Sequence, residues 1–277
     1  MSMELSFICI NFRSYKLVKE LFNSLCPLLK EEGVTYEAII IDQSEDDQER
    51  EKLQTLSIPS LRIASLPNHG FGKGCNYGAS LARGRYLCFL NPDLILKKFD
   101  WESTLNVLKN KGPDIMAGAR LYLPNGSLQV STWWFPTVIT EILRRIANRF
   151  SEKGTAAWNS FLRFLSRKPR KVPWITGALF IIPRSTFFKL DGFDESFFLY
   201  FEDIDLCYRA KKKGILRYWL PFIEATHLES AITKKNYQQN RNRYRNSRNH
   251  YWKKHYSSFS CHFLRISEKL SDLPFLR

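Results

Sequence analysis

No aspartate or glutamate occurs between Ser230 and Ser267, in a chain of 277 residues that sets 42 lysines and arginines against 27 acids. The net charge of +15 is extreme for an enzyme of neutral small molecules and implies an anionic partner: nucleotide phosphates, nucleic acid or an acidic membrane surface. Paired cysteines are lacking as well. Cys9, Cys26, Cys75, Cys88, Cys207 and Cys261 form no CxxC pair, so neither a zinc site nor a disulfide framework is indicated. Their apolar settings, as in FICIN and YLCFL, fit core thiols in a reducing compartment. No stretch approaches the roughly 18 uninterrupted apolar residues of a membrane span, and the apolar run at 5–10 is too short for a signal-peptide core. The expected location is the cytosol, or a membrane surface on its cytosolic side. Neither a Walker pattern nor a dinucleotide fingerprint after the first strand is found.

What is present is enough for a sizeable core: 44% hydrophobic and 14% aromatic residues, sufficient for one large domain or a domain with an appendage. The first half alternates. Residues 5–10, 36–41, 61–66 and 86–90 read as buried strands, and 17–29, 46–56 and 74–82 as helices between them, which predicts a mostly parallel sheet with helices on both faces. Ligands of such sheets bind beyond the carboxyl ends of the strands. Here those ends carry Asn11, Asp42, Asn68 and Asn91-Pro92-Asp93. The run Asn68-His69-Gly70-Phe71-Gly72-Lys73-Gly74-Cys75-Asn76 opens a helix, and its glycines offer backbone N–H groups to phosphate; a plain turn is the bland alternative. Asp93 projects from the end of an apolar strand, where one carboxylate with diphosphate oxygens and waters commonly holds Mg²⁺ or Mn²⁺. His227, after the strand-like 215–223, offers an imidazole to the same ion.

Six carboxylates crowd into 191–205, in GFDESFFLYFEDIDLCYRA and the aspartate before it. Like charges among apolar neighbours need compensation, by a cation, a helix N-terminus or a catalytic duty. Residues 204–213 have helical spacing and end in Lys211-Lys212-Lys213-Gly214, so Glu202 and Asp203 sit at a helix start, where the macrodipole favours the ionised form. An ionised, positioned carboxylate is what a general base needs. A merely well-charged helix is the alternative.

Between the halves, Pro124-Asn125-Gly126 marks a hairpin turn. Residues 138–150 and 156–165 then form two basic amphipathic helices flanked by Trp133-Trp134-Phe135 and by Arg167-Lys168-Pro169-Arg170-Lys171. That pattern suits a membrane interface, or packing on the protein's own core. Residues 172–182 read as a returning buried strand. In the acid-free tail, Tyr237, Tyr244 and Tyr251 recur every seven residues, the mark of a helix with an aromatic stripe.

The segments FICINFRS, IIIDQS, NHGFGKGCNYG, YLCFLNPD, ITGALFIIPR and GFDESFFLYFEDIDLCYRAKKKG together resemble the family 2 glycosyltransferases, in particular their bacterial rhamnosyltransferase-like branch. The resemblance covers about 5–130 and 172–230. It implies a GT-A fold, Rossmann-like, and inverting transfer of a sugar, rhamnose in that branch, from a nucleotide-diphosphate donor to a glycan or lipid-linked acceptor of surface polysaccharide. It implies donor contacts from Asn11, Asp42, Asn68, Gly72, Gly74, Asn76, Asn91 and Asp93, with Asp42 on the nucleobase. Acceptor contacts fall to Trp174 and Gly177. Asp203 becomes the base, beside Glu202, and Asp93 and His227 the ligands of a divalent metal. The organisation expected is a glycosyltransferase domain over 1–229, comprising a donor half 1–130, an amphipathic insertion 131–171 and a catalytic half 172–229, followed by a basic helical appendage, 230–277. Two rivals stand beside this reading. The basic, tyrosine-bearing tail fits a nucleic-acid binder, although no nucleic-acid motif is found; an inactive scaffold of the same fold is opposed by Asp93 and Glu202-Asp203.

Overall fold

The computed structural model describes residues 3–228 and 237–256. Strands β1 (Leu5–Asn11), β2 (Tyr36–Asp42), β3 (Leu61–Ser65) and β4 (Tyr86–Leu90) are parallel, in the order β3-β2-β1-β4. They are joined by α1 (Tyr15–Glu31), α2 (Asp47–Gln54) and α3 (Phe71–Leu81). A continuous apolar run is needed in β1 because both its faces are buried. Leu5, Phe7 and Cys9 enter one core, with Val18, Leu21 and Leu25 of α1; Ile8 and Ile10 enter the other, with Cys75 and Ala79 of α3.

Beyond β4 the sheet is not the mostly parallel one expected. Its order continues β4-β8-β6-β9-β5, made of β5 (Leu94–Phe99), β6 (Ile115–Tyr122), β8 (Leu179–Pro183) and β9 (Leu216–His227), with β7 (Arg170–Lys171) on β9. Only β6 and β9 are parallel there. The cause lies at the junction: Leu179 pairs with Leu90 and Pro183 with Tyr86, so β8 starts where β4 ends and must run the opposite way. Residues 172–178, expected as strand, are irregular; Trp174 and Ile175 pack into the core instead. The hairpin turn is present, closed by Leu123 N–H to Ser127 O at 2.8 Å with Gly126 at φ 80°.

Helices α4 (Trp101–Asn110) and α7 (Arg184–Lys189) were not anticipated, while α5 (Val138–Glu152), α6 (Ala156–Leu165) and α8 (Glu202–Lys212) follow the expected periodicity. The last helix, α9 (Tyr237–His255), does not stand apart as an appendage. Tyr251 and Trp252 are buried in the second core, and the Phe201 ring lies 5.2 Å from Tyr244 and 5.5 Å from Tyr251. The tyrosine stripe is therefore a packing stripe. Lys234, Lys235 and Cys261, with the rest of 230–277 beyond α9, lie outside the described residues.

Candidate active site

The carboxyl ends of β1 and β2 are braced against each other. Asn11 Nδ2 donates to Asp42 Oδ1 at 2.9 Å and to Ser44 Oγ at 3.0 Å, while its Oδ1 accepts from Ser14 N at 3.1 Å and Ser14 Oγ at 2.9 Å. Wholly buried, Asn11 is a strut that positions Asp42. Asp42 is itself 2% exposed. Glu49, which the sequence did not single out, completes the brace by accepting from Tyr15 N at 2.6 Å.

The glycine-rich loop is likewise turned towards protein. Gly70 has φ 103°, and a Cβ there would meet Phe198 O at 2.3 Å; Phe71 N–H donates to that same oxygen at 2.9 Å. A Cβ on Gly72 would press on Phe193 at 3.1 Å, and one on Gly74 on Ile10 at 3.0 Å. Asn76 clamps the following loop, giving Nδ2 to Phe193 O at 2.9 Å and taking Phe193 N–H at 2.8 Å. Gly72 and Asn76 thus dock α3 on 193–198, while Gly74 packs on Ile10 and Gln43. Asn68 Oδ1 caps Gly70 N–H at 3.2 Å.

The metal pair is brought together as expected. Leu94 pairs with His227 across β5 and β9, which places Asp93 beside the imidazole: Nε2 and Oδ1 are 3.2 Å apart. His227 Nδ1 lies 3.1 Å from Gln129 Oε1, a partner of the kind that fixes a ligating imidazole's orientation. Gln129 went unnoticed in the sequence because its partner is 98 residues away. No group of three or more His, Cys, Asp or Glu that could hold a metal occurs among the described residues.

Cations answer most of the acidic segment. Asp205 receives Arg209 Nε at 2.7 Å, Lys254 Nζ at 2.7 Å and His255 Nε2 at 2.6 Å; burial alone would raise its carboxyl, but these partners hold it below the usual range. Asp194 takes Lys254 at 2.6 Å and the Ser196 hydroxyl at 2.6 Å, and is likewise held down against burial. Glu195 lies 3.5 Å from Lys73 and Asp191 lies 3.9 Å from Lys213. Among the described residues Glu202 and Asp203 have no such ion pair.

Tyr200 and Phe201, non-glycine residues at φ 70° and 68°, turn the chain sharply so that these two acids open α8. Glu202 is buried and its Oε2 has no hydrogen-bond partner among the described residues; burial, then the charge of Asp203, pushes it well above the ordinary range. Asp203, only partly covered, is also raised by burial, opposed by N–H bonds from Gly177 to Oδ2 and Ile204 to Oδ1, both 2.7 Å. For Glu202 burial therefore outweighs the helix start. The Arg144 charge, from α5, also bears on Asp203; this guanidinium is held by Glu141 at 3.1 Å and the Tyr244 hydroxyl at 2.6 Å.

Three consecutive residues join the parts. Thr176 N–H reaches Ser131 O at 3.0 Å, in the segment leading to α5; Gly177 N–H holds Asp203; Ala178 O accepts from Asn91 N at 2.8 Å, in the turn that carries Asp93. Gly177 thus supports the Asp203 carboxylate, and a Cβ there would stand 3.3 Å from Asp203 Cβ. Trp174 is 6% exposed and gives its indole N–H to Trp134 O at 2.9 Å, so it backs the site without presenting a face to a ligand.

Residues 6–205 match the family described as Glycosyl transferase family 2, and the chain belongs to that family. Its fold is the GT-A type: GalNAc-T7, solved with UDP, GalNAc and Mn²⁺, superposes with a TM-score of 0.61 at 16% identity, over 82% of this chain and 44% of that one. Among curated relatives, the N-acetylglucosaminyl-diphospho-decaprenol L-rhamnosyltransferase of Mycobacterium tuberculosis is 31% identical over 112 residues, 40% of this chain and 36% of the relative. Rhamnosyltransferase WbbL of Escherichia coli (strain K12) is 25% identical over 57% of this chain and 61% of its own. The low-salt glycan biosynthesis hexosyltransferase Agl10 of Haloferax volcanii is 25% identical over 81% of this chain and 67% of its own. The chain thus spans between about a third and two thirds of the length of these relatives.

Proposed function

We propose that this chain moves a sugar from a nucleotide-diphosphate donor to a hydroxyl of a glycan or lipid-linked acceptor, with inversion, and that the sugar is rhamnose. The supporting observation is the Thr176-Gly177-Ala178 junction, which ties a solvent-reachable carboxylate to the turn carrying Asp93. Residues 1–130 supply the donor half, 131–171 an insertion and 172–229 the catalytic half. The Asp93 carboxylate and His227 imidazole fit a divalent ion, Mg²⁺ or Mn²⁺, in chemistry and spacing. When bound, such an ion supplies electrophilic neutralisation of a departing diphosphate. Asp203 takes the acceptor hydroxyl's proton as that oxygen bonds to the anomeric carbon, and the sugar–diphosphate bond breaks with its electron pair on the diphosphate. Two backbone N–H bonds aim the carboxylate, and its raised pKa makes it a stronger base than a surface aspartate. A nucleic-acid reading loses its main support, because Tyr244 and Tyr251 are engaged in packing α9.

The same reading places the protein peripherally on the cytoplasmic face of an anionic membrane, where a lipid-linked acceptor resides. The decisive experiment is turnover with purified nucleotide-sugars. Asp203→Asn is expected to cut it by roughly two to four orders of magnitude with donor affinity unchanged. Loss of turnover in Glu202→Gln together with an unaffected Asp203→Asn would move the base by one residue.

A further inference from the structure

A cavity of about 580 Å³ lies between the insertion helices and the sheet, within the roughly 300–1,000 Å³ range of small-molecule sites. Its walls are Trp133, Trp134, Trp158 and Trp219, with Ile146 and Phe161. No carboxylate lines it, and its charged residues are Arg170 and Lys171, both cations. A nucleotide-sugar, rich in hydroxyls, finds few partners there. A hydrocarbon chain attached to an anion fits on both counts.

Arg170 carries the charge side of the match. Its guanidinium lies over the Trp219 ring, 5.7 Å from the centroid, and its buried Nε has no hydrogen-bond partner among the described residues. A half-buried cation short of a partner on an apolar wall is costly unless an anion meets it. The other end of the cavity touches the site already described. Gln129, in its wall, holds His227; Ser131, also in its wall, accepts from Thr176, next to the Gly177 that holds Asp203. The opposite side is open. Leu143, Ile146, Phe150 and Phe161 line the cavity and are also exposed, by 38–50% with their neighbour Ile142 included.

We infer that this cavity seats the hydrocarbon chain of a prenyl-phosphate acceptor, with Arg170 on its phosphates, the tail leaving between α5 and α6 and the sugar end facing Asp203. The inference rests on the transferase reading and names the acceptor's class: a polyisoprenoid phosphate or diphosphate. Entry from the side lets such a lipid reach the base while the remainder of its chain stays in the bilayer.

The test is binding without donor or metal. Geranylgeranyl diphosphate, titrated into the whole chain, is expected to change tryptophan fluorescence saturably, since four indoles line the cavity; inorganic diphosphate is expected to leave it unchanged. Ala147→Phe, which fills the cavity, and Ile146→Glu, which sets a carboxylate at its exposed mouth, are each expected to weaken that binding at least tenfold. Ile146 is 45% exposed, so this second variant does not depend on core repacking, and unchanged nucleotide-sugar binding reports the fold of both. An equal response to inorganic diphosphate, unaltered affinity in both variants, or a dimer whose formation excludes the prenyl ligand would each overturn the assignment. Sugar transfer to a soluble acceptor with no prenyl binding would overturn it while leaving the transferase reading in place. Prenyl binding with no transfer to any acceptor would support the cavity and sink that reading.

Discussion

Two adjacent carboxylates at the start of α8 are solvated differently, and that difference assigns their duties. Asp203 has two N–H donors and an accessible edge, whereas Glu202 has a buried oxygen with no partner among the described residues. Both are raised, Glu202 further, because it is desolvated and also feels Asp203. A carboxyl raised by folding contributes its full stability below the ordinary carboxylate range and loses it as pH rises through the folded value. Glu202→Gln, permanently neutral, is expected to be more stable than the wild type near pH 8, by about 1–3 kcal/mol, and equal to it near pH 4. Urea midpoints at the two pH values measure this; a variant less stable near pH 8 would mean that Glu202 is ionised and compensated. Position was legible in the sequence here and role was not. Helical spacing puts both acids at a helix start, but the choice between them is made by Gly177, 26 residues earlier. Asp93 and His227 were readable because each ends an apolar strand. Asn11, Gly72, Gly74 and Asn76 lie at the expected edge, and their contacts with the scaffold were not legible, since a polar residue or a close-packed glycine at a strand end serves the scaffold as readily as a ligand.

At the scale of elements, α9 shows what periodicity conveys and what it omits. The seven-residue tyrosine spacing announces a helix with one apolar stripe, but the partner, α8, is identified only by the structure, where Tyr208 lies 6.1 Å from Tyr251. The sheet behaves likewise. Strands β1 to β4 follow from their own apolar runs, whereas the direction of β8 depends on where the insertion delivers it. Asp205 is the electrostatic centre of the α8–α9 contact, with no exposed side-chain surface and three cationic partners, if His255 is protonated. Asp205→Asn leaves Arg209 without its counter-charge and Lys254 with Asp194 alone, and is expected to cost about 3–5 kcal/mol. Because the folded carboxyl is held low, that contribution is present above the ordinary carboxylate range and fades as pH falls through the folded value. The difference between variant and wild type in urea unfolding should therefore shrink with acidification. A variant as stable as the wild type at neutral pH would show α9 to be an energetically separate tail.

Across the whole molecule, apolar surface is concentrated on one side. Ile139 is 70% exposed, Phe164 64% and Trp134 56%, all in or beside the two insertion helices, and Arg163, Arg167 and Lys168 are exposed around them. Among the described residues no helix is long and apolar enough to cross a membrane; an apolar face rimmed by cations suits a membrane interface. The cationic tail contributes less than its composition promised, since Lys254 is engaged by Asp194 and Asp205 and Arg248 is buried over the Trp252 ring. In the proposed attachment the insertion would therefore lead. Each cation close to an anionic surface adds about 1 kcal/mol, and the apolar side chains add burial on top. Co-sedimentation with vesicles is expected to be strong for phosphatidylglycerol-rich membranes at low salt, and weaker as salt shortens the screening length. The double variant Ile139→Asp, Phe164→Asp should lose at least tenfold in affinity with nucleotide-sugar binding intact. Equal sedimentation with neutral phosphatidylcholine vesicles, or an unaffected double variant, would rule this orientation out. If it holds, the open side of the cavity meets the bilayer and its inner end meets Asp203, so a lipid-borne hydroxyl reaches the base without leaving the membrane.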